Sequence, residues 1–480
     1  MTSTPRACVF AEEKVMDAES GDAKPRFPRK SSRAALVVLV LTAGLLAAGT
    51  AVAFRRYENT SRIAAAYELA LRGAELRESR PEDAALLGAA AVSIRPDEVT
   101  RASLADTLLL HRRSVVFGTV NVDSVAISAD GSLAITSDLH TGVKIWELSS
   151  EMDDSVEASD ISALKDHEGW VTAIALTPDG KVALTAGSDD GSMSVWDLTH
   201  PRRPVKAGGM VVGDVVNGVT KVALAADGRT AVAGTENGDV TLWDLTRKSH
   251  PVRLSELRGA KSRVGGLAMS ADGRTVVSAA GGSGVVWDVT DRARPVRLAT
   301  LDRPGSTVEG VALSADGRTA LVGGLTDVDR RNGAHMWDLS TPARPVHLAT
   351  LPARMSEVYN VALAADGKTA MTSGFGGLTM LWDLRDRSRP VRTATLKGPA
   401  TLANGVAMAA SGTTVMMATP RWGAFTWNIA GVGEDPLRTF CDGPRYFQHV
   451  DRQWWDRWMD GHAWPPALDE AEDIAPCSQL

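Results

Sequence analysis

The sequence predicts an all-β fold, a seven-bladed β-propeller, preceded by a single transmembrane helix and a short α-helical linker. Two repeating markers and one uncharged run carry that reading. Tryptophans recur at Trp146, Trp196, Trp243, Trp287, Trp337, Trp382 and Trp427, at intervals of 50, 47, 44, 50, 45 and 45 residues. Each closes a short apolar run. An acidic residue or its amide follows: Glu147, Asp197, Asp244, Asp288, Asp338, Asp383 and Asn428. Asp-Gly pairs keep the same beat from Asp130 through Asp179, Asp227, Asp272, Asp316 and Asp366, with Ser411-Gly412 as the seventh. Two markers with one period make an internal repeat. The uncharged run, residues 34–54, stands ahead of it.

Composition sets the limits. The chain has 480 residues and 44% hydrophobic content, ample for one large domain and additional segments. A net charge of −6 argues against a general nucleic-acid surface. There are 40 arginines and 12 lysines, and with abundant Ala and Gly this usage matches a high-GC bacterial genome. The three cysteines, Cys8, Cys441 and Cys477, are too few for a disulfide scaffold, and no pair has zinc spacing.

Residues 1–33 are polar and interrupted by Ser and Pro, and read as a disordered cytoplasmic tail. Residues 34–54 carry no charge and are bracketed by Arg33 and Arg55-Arg56. Twenty-one helical residues span about 31 Å, close to the hydrocarbon thickness of a bilayer. The tail holds seven Lys or Arg, against four in the first 20 residues after the span. Positive residues favour the cytoplasmic side, so the N-terminus is read as cytoplasmic and the propeller as extracytoplasmic. A cleaved signal peptide is the rival reading, since Ala51-Val52-Ala53 fits a small-x-small cleavage site.

Residues 57–112 read as the helical linker. Asn59 or Thr60 is read as the first cap, Ser79 to Asp83 as a stop and a new start, and Pro96-Asp97-Glu98 as a third start. Ala64, Leu69, Leu71, Ala85, Leu86, Leu87, Leu104, Leu108 and Leu109 supply apolar faces.

Within the propeller, 113–432, each unit has one plan. Residues 310–322 place two apolar runs around Asp316-Gly317, a hairpin signal whose type I′ turn needs positive φ at both central residues. A third run ends at Trp337-Asp338. A fourth begins with Pro345, which suits the start of an outermost strand because proline cannot donate to a ladder. Four strands repeated seven times build a propeller with short, protected edges.

On these residues the chain from about 115 to 432 resembles the WD-repeat β-propellers, whose blades end in Trp-Asp after a third strand. The resemblance implies structural roles for the seven tryptophans and for Asp197, Asp244, Asp288, Asp338 and Asp383. Family blades also join a His, an Asp six residues before the Trp, and the Trp in a hydrogen-bond network. Only the second blade has that set, His167, Asp190 and Trp196. Elsewhere the position six before Trp holds His140, Asn237, Gly281, Arg331, Gly376 or Arg421, so those blades are read as held by apolar packing. The resemblance also implies that the strand at 115–120 completes the last blade. Pro436-Leu-Arg-Thr-Phe440 would then lie outside the ring or compete for that edge.

The loops leaving the third strands are basic, as at Arg202-Arg203, Arg247-Lys248 and Arg385, with acidic neighbours that offset much of the charge. They read as a solvated rim or as a surface for an anionic partner or lipid headgroups. In the C-terminal segment, 433–480, residues 451–460 read as a helix carrying Trp454 and Trp458 on one face. Cys441 and Cys477 flank it. They can pair if the propeller is exported, closing a loop of 36 residues worth about 4 kcal/mol in the chain-entropy model.

The plan also resembles the C-terminal half of larger bacterial signalling proteins, in which a nucleotide-binding or kinase module precedes a membrane span and a WD-repeat propeller. No phosphate-binding loop or kinase signature occurs here. Nine histidines are scattered without metal spacing, and no nucleophile motif stands out. No catalytic residue, cofactor or metal is therefore assigned. The function expected is that of a membrane-anchored, non-catalytic scaffold for a protein or peptide partner. A sensor subunit of a signalling system and a propeller enzyme or ligand binder using the central channel are the alternatives.

Overall fold

The computed structural model describes residues 56, 59–116, 121–138, 142–150, 156–167, 169–213, 216–258, 262–302, 307–325, 333–353, 357–374, 378–398, 402–442, 450–451, 473–474 and 476–479. The chain divides into Met1–Thr60 and Ser61–Leu480. Among the described residues no helix is long and apolar enough to cross a membrane, and the span read at 34–54 lies outside them.

Seven four-stranded antiparallel sheets follow the Trp period. In blade 2 the strands run outward from the axis as Val171–Leu176, Val182–Gly187, Ser192–Asp197 and Val205–Val211. Blades 1 and 3–6 repeat this consecutive order. Blade 7 differs. Its inner strands are Gly405–Met408, Thr414–Thr419 and Gly423–Asn428, and its outermost strand is β1, Arg113–Val116, from the start of the ring. Arg113 pairs with Trp427 and Val116 with Ala424, so a strand at Arg113–Val116 closes the circle as the resemblance implied, while 117–120 of the strand read at 115–120 lie outside the described residues.

The tryptophans form the wedges between blades. All seven are 1–7% exposed. Each lies opposite a small residue on its own second strand, such as Ala134, Ala183, Ala231, Ala320 or Ala370, with Val276 and Val415 in the other two. Each also packs into the preceding blade: Trp196 against Ile135 and Ile145, Trp243 against Leu184 and Val195, Trp146 against Met416 of blade 7. A side chain this large, buried, contributes on the order of 3 kcal/mol, and seven such contacts explain why the indole is the repeat's fixed point.

The Asp-Gly turns are not type I′. Asn121 is the one described non-glycine residue with positive φ, so the turn aspartates stay out of that region. In blade 1 the N–H of Gly131 bonds the carbonyl of Ser128 at 3.1 Å, and Gly131 alone takes φ +77. Asp130 instead accepts from the N–H of Ser132 at 3.0 Å and the hydroxyl of Ser128 at 2.6 Å. The aspartate thus shapes the loop with its carboxylate, and glycine alone supplies the left-handed step.

These turns are chained around one end of the ring. Ala226 donates its N–H to Ala271, Ala271 to Ala315, Ala315 to Ala365 and Ala365 to Ala410, at 2.9–3.4 Å. Ser411 donates to Ala129 and Ala129 to Pro178, completing the circuit except at one step. Pro178 has no N–H to pass on to blade 3.

The linker comprises three helices, at 59–76 (α1), Pro81–Ile94 (α2) and Glu98–His111 (α3). Residues 59 and 60 lie within the first helix. The Thr60 hydroxyl donates to the Arg56 carbonyl four residues back instead of capping. Pro81 does start α2, and Asp97 caps α3 in a box with Thr100. Leu69, Leu86, Leu87, Leu104 and Leu109 are buried, whereas Ala64 and Leu71 face outward; the buried side of α1 is carried by Ala65, Ala66, Leu69 and Ala70. Ala105 and Leu109 join the core of blades 6 and 7.

Pro436–Asp442 is a helix (α4), not a competing strand, and Phe440 packs against the linker core. Proline at its first position suits a helix start as well as a strand edge. The helix read at 451–460 lies outside the described residues, apart from Asp451, which pairs in a two-residue strand with Asp473.

Candidate functional site

The Trp-Asp aspartates sit at the turns between third and fourth strands. Asp197, Asp244, Asp288, Asp338 and Asp383 each accept the N–H of the residue two positions on, at 2.8–2.9 Å. Asn428 does the same in blade 7 at 3.0 Å. Hydrogen bonds from Thr199, Thr246 and Ser340 hold Asp197, Asp244 and Asp338 below the usual carboxylate range. The role is architectural: each carboxylate reverses the chain. The basic loops occupy the same turns and are partly neutralised there, Arg202 by Glu147 and Arg385 by Asp383 at 2.6 Å.

The polar network is complete in blade 2. His167 Nδ1 lies 3.0 Å from Asp190, and Nε2 lies 2.9 Å from the Thr185 hydroxyl, which accepts from Trp196 Nε1 at 2.9 Å. Sequence reasoning placed three of its members and missed Thr185. It also underestimated the other blades. Trp146, Trp287 and Trp382 donate to Thr136, Ser278 and Thr372 on the second strand, and Trp243 to Thr241 on its own strand, at 2.9–3.0 Å. The indole–hydroxyl end of the network therefore survives where the His and Asp do not.

Cys441 and Cys477 are bonded, with Cα atoms 5.6 Å apart, as the spacing allowed. Among the described residues no group of three or more His, Cys, Asp or Glu side chains is placed to hold a metal ion.

The two ends of the ring differ. The Asp-Gly and Trp-Asp turns pack one end tightly. The opposite end carries the connections between second and third strands and between successive blades. Two large aromatics stand out there: Trp170, 51% exposed just before blade 2, and Trp422, 58% exposed between the second and third strands of blade 7. Their backbones are pinned, with Trp170 accepting from Ser188 at 2.9 Å and Trp422 donating to the Thr419 hydroxyl at 3.2 Å.

A cavity of about 320 Å³ lies on the axis, lined by the innermost strands of all seven blades. Those strands carry β-bulges where they face it, at Thr172, Thr220, Gly265, Glu309 and Tyr359. Arg263 pairs with Glu236 at 3.3 Å and with Glu309 at 3.0 Å, joining blades 3, 4 and 5. The Tyr359 hydroxyl donates to Glu357, which, with burial, raises its pKa to about 12. Lys221 and Asp123 also line the cavity, and neither stood out in the sequence.

Comparison with known proteins agrees with this architecture. Residues 159–197, the second blade, match the family model "WD domain, G-beta repeat". No curated protein sequence matches the chain. Among solved structures, a chain of "Crystal Structure of Mitotic Checkpoint Complex" is similar with a TM-score of 0.52 and 18% identity, over 66% of this chain and 90% of that one. That likeness is one of fold. The chain folds as a seven-bladed β-propeller whose second blade matches the WD-repeat model.

Proposed function

We propose that the protein is a membrane-anchored, non-catalytic interaction scaffold whose protein or peptide partner docks on the ring end bearing Trp170 and Trp422. The exposure of those two indoles carries the reading. Every blade tryptophan is at most 7% exposed, whereas these two keep more than half their surface in solvent on the same end of the ring. Exposed aromatics on rigid supports are the side chains that anchor protein interfaces. WD-repeat propellers are mostly scaffolds, and the resemblance supports this reading.

The uncharged run at 34–54 supports anchoring, and the Cys441–Cys477 bond supports placement of the propeller on the extracytoplasmic side, since disulfides persist in oxidising compartments. Two experiments test the proposal. A photo-crosslinking residue at position 422 should capture a defined protein that the same residue at Val296, 54% exposed on an outer strand, does not; equal capture at both positions counts against a dedicated face. Labelling intact cells with an impermeant thiol reagent, before and after mild reduction, tests placement. Cys441 and Cys477 should become reactive only after reduction and without lysis. Free thiols reachable only after lysis would put the propeller in the cytoplasm.

A further inference from the structure

The axial cavity is lined by two opposite charges, Lys221 and Asp123, that no hydrogen bond of the fold engages among the described residues. Lys221 follows the bulge on the innermost strand of blade 3, Val219–Leu224. The residues at the same position in blades 2, 4, 5 and 6 are Ala173, Gly266, Gly310 and Asn360. On the adjacent blade the glycines answer to close approach. A Cβ on Gly265 would lie 2.2 Å from the Val308 carbonyl, and one on Gly266 would lie 2.6 Å from Val311. Lys221 is the one charged residue at this position.

Lys221 is partly buried and lines the cavity. Burial first, then the Arg263 charge, lowers its pKa. Asp123, on the innermost strand of blade 1, is half-buried in the same cavity, and burial raises its pKa. Among the described residues neither side chain has a hydrogen bond or a close ion pair; each favours the other's charged form through space, as Glu309 does for Lys221. Arg263 differs, because Glu236 and Glu309 already neutralise it. A ligand that bonds both groups adds charge-assisted hydrogen bonds that neither makes in the fold.

We propose that the axial cavity binds a small zwitterion, with a free α-amino acid as the ligand class, its carboxylate on Lys221 and its ammonium on Asp123. A simple anion satisfies Lys221 but meets the negative charges of Asp123 and Glu309. A simple cation leaves Lys221 unanswered. A zwitterion presents both charges with no net change. The volume, about 320 Å³, lies at the small end of ligand pockets and equals the liquid volume of roughly ten waters. Thr172 and Glu236 place this site toward the ring end that bears Trp170 and Trp422, but titration with amino acids and crosslinking at position 422 read the two proposals separately, so either can fail without the other.

The test is calorimetric titration and thermal shift of the full chain in detergent with the free α-amino acids, using acetate, methylammonium and N-acetylated amino acids as controls. At least one free amino acid should bind saturably and raise the melting temperature, at least tenfold more tightly than its N-acetyl form. Lys221→Met and Asp123→Asn should each abolish that binding while retaining the β-sheet circular dichroism. If one variant fails to fold, the other and the wild-type control panel decide. Acetate binding as tightly as any amino acid, or binding that survives in a folded variant, overturns the proposal. So does the absence of binding by every free amino acid.

Discussion

Asp106 on the last linker helix accepts the backbone N–H of Thr395, on the outermost strand of blade 6, at 2.5 Å across 289 residues of chain. An edge strand exposes unpaired N–H groups, and here a helix carboxylate answers one of them. Arg77 lies 3.7 Å from the same carboxylate, and Lys397, two residues beyond Thr395, pairs with Glu78 at 2.8 Å. The linker is thus fastened to blade 6 by a buried-edge bond and by charges at the surface.

Asp106→Ala should uncouple the two. The Thr395 N–H loses its partner, at a cost of about 1–3 kcal/mol. Hydrogen exchange should show faster exchange at Thr395 and along α3, with the Asp-Gly end of the ring unchanged. Unaltered exchange at Thr395 would show that the bond to Asp106 does not protect that N–H.

Thr185 is the hub of blade 2, bonded to both Trp196 and His167. Thr185→Val should cost more than Thr372→Val, because the latter strands only the Trp382 indole. With roughly 1–3 kcal/mol for each buried group left unpaired, the expected difference is about one such increment. Chemical denaturation of the two variants side by side measures it.

The carboxyl of Asp97 gives a pH dependence. Burial opposes its ionisation but is outweighed by hydrogen bonds from Arg95 at 2.5 Å, Tyr67 at 2.7 Å and the Thr100 N–H at 3.1 Å, so its pKa falls to about 2. The unfolded value is about 3.9. A depressed folded pKa contributes stability that is fully present above about pH 4 and disappears as pH falls through 2. Asp97→Asn keeps a capping side chain. It should be less stable than wild type at pH 7, with the gap closing toward pH 2 in urea titrations.

Removing the Cys441–Cys477 bond should loosen the helical part before the ring. Phe440, next to Cys441, packs against the linker core. The chain-entropy model gives about 4 kcal/mol for a loop of this length. Cys441→Ser with Cys477→Ser should lower the first melting transition and leave the tryptophan-reported melting of the blades nearly unchanged.

Most of the ring was legible because its signals are periodic and large. Tryptophan and Asp-Gly recur at one spacing, and the buried indoles stand where that spacing put them. What escaped were features defined by pairing between strands. A bulge is a count of two residues against one, so Val-Thr-Lys-Val-Ala-Leu at 219–224 reads as a half-solvated strand, and nothing local marks Lys221 as axial. The same holds for Thr185, a common strand residue until the indole and imidazole arrive from other segments. Pro436 left two readings open because it suits both the start of an edge strand and the first turn of a helix; the segment lies outside the ring as a helix, with Phe440 against the linker.

The closing pair of strands also sets an order of events during synthesis. β1 is the first strand of the ring to leave the ribosome, yet its partner Gly423–Asn428 is the last third strand of any blade. At 5–20 residues per second, the intervening roughly 300 residues take about 15–60 s to translate. Throughout that interval six blades can stack on one another while the seventh has no outer edge. The final step is then the search of a short segment for a distant mate, the slow kind of contact. The linker helices bear on that search: α3 docks on blade 6 and leads directly into Arg113, so once blade 6 has formed the waiting strand is held beside the place it must fill.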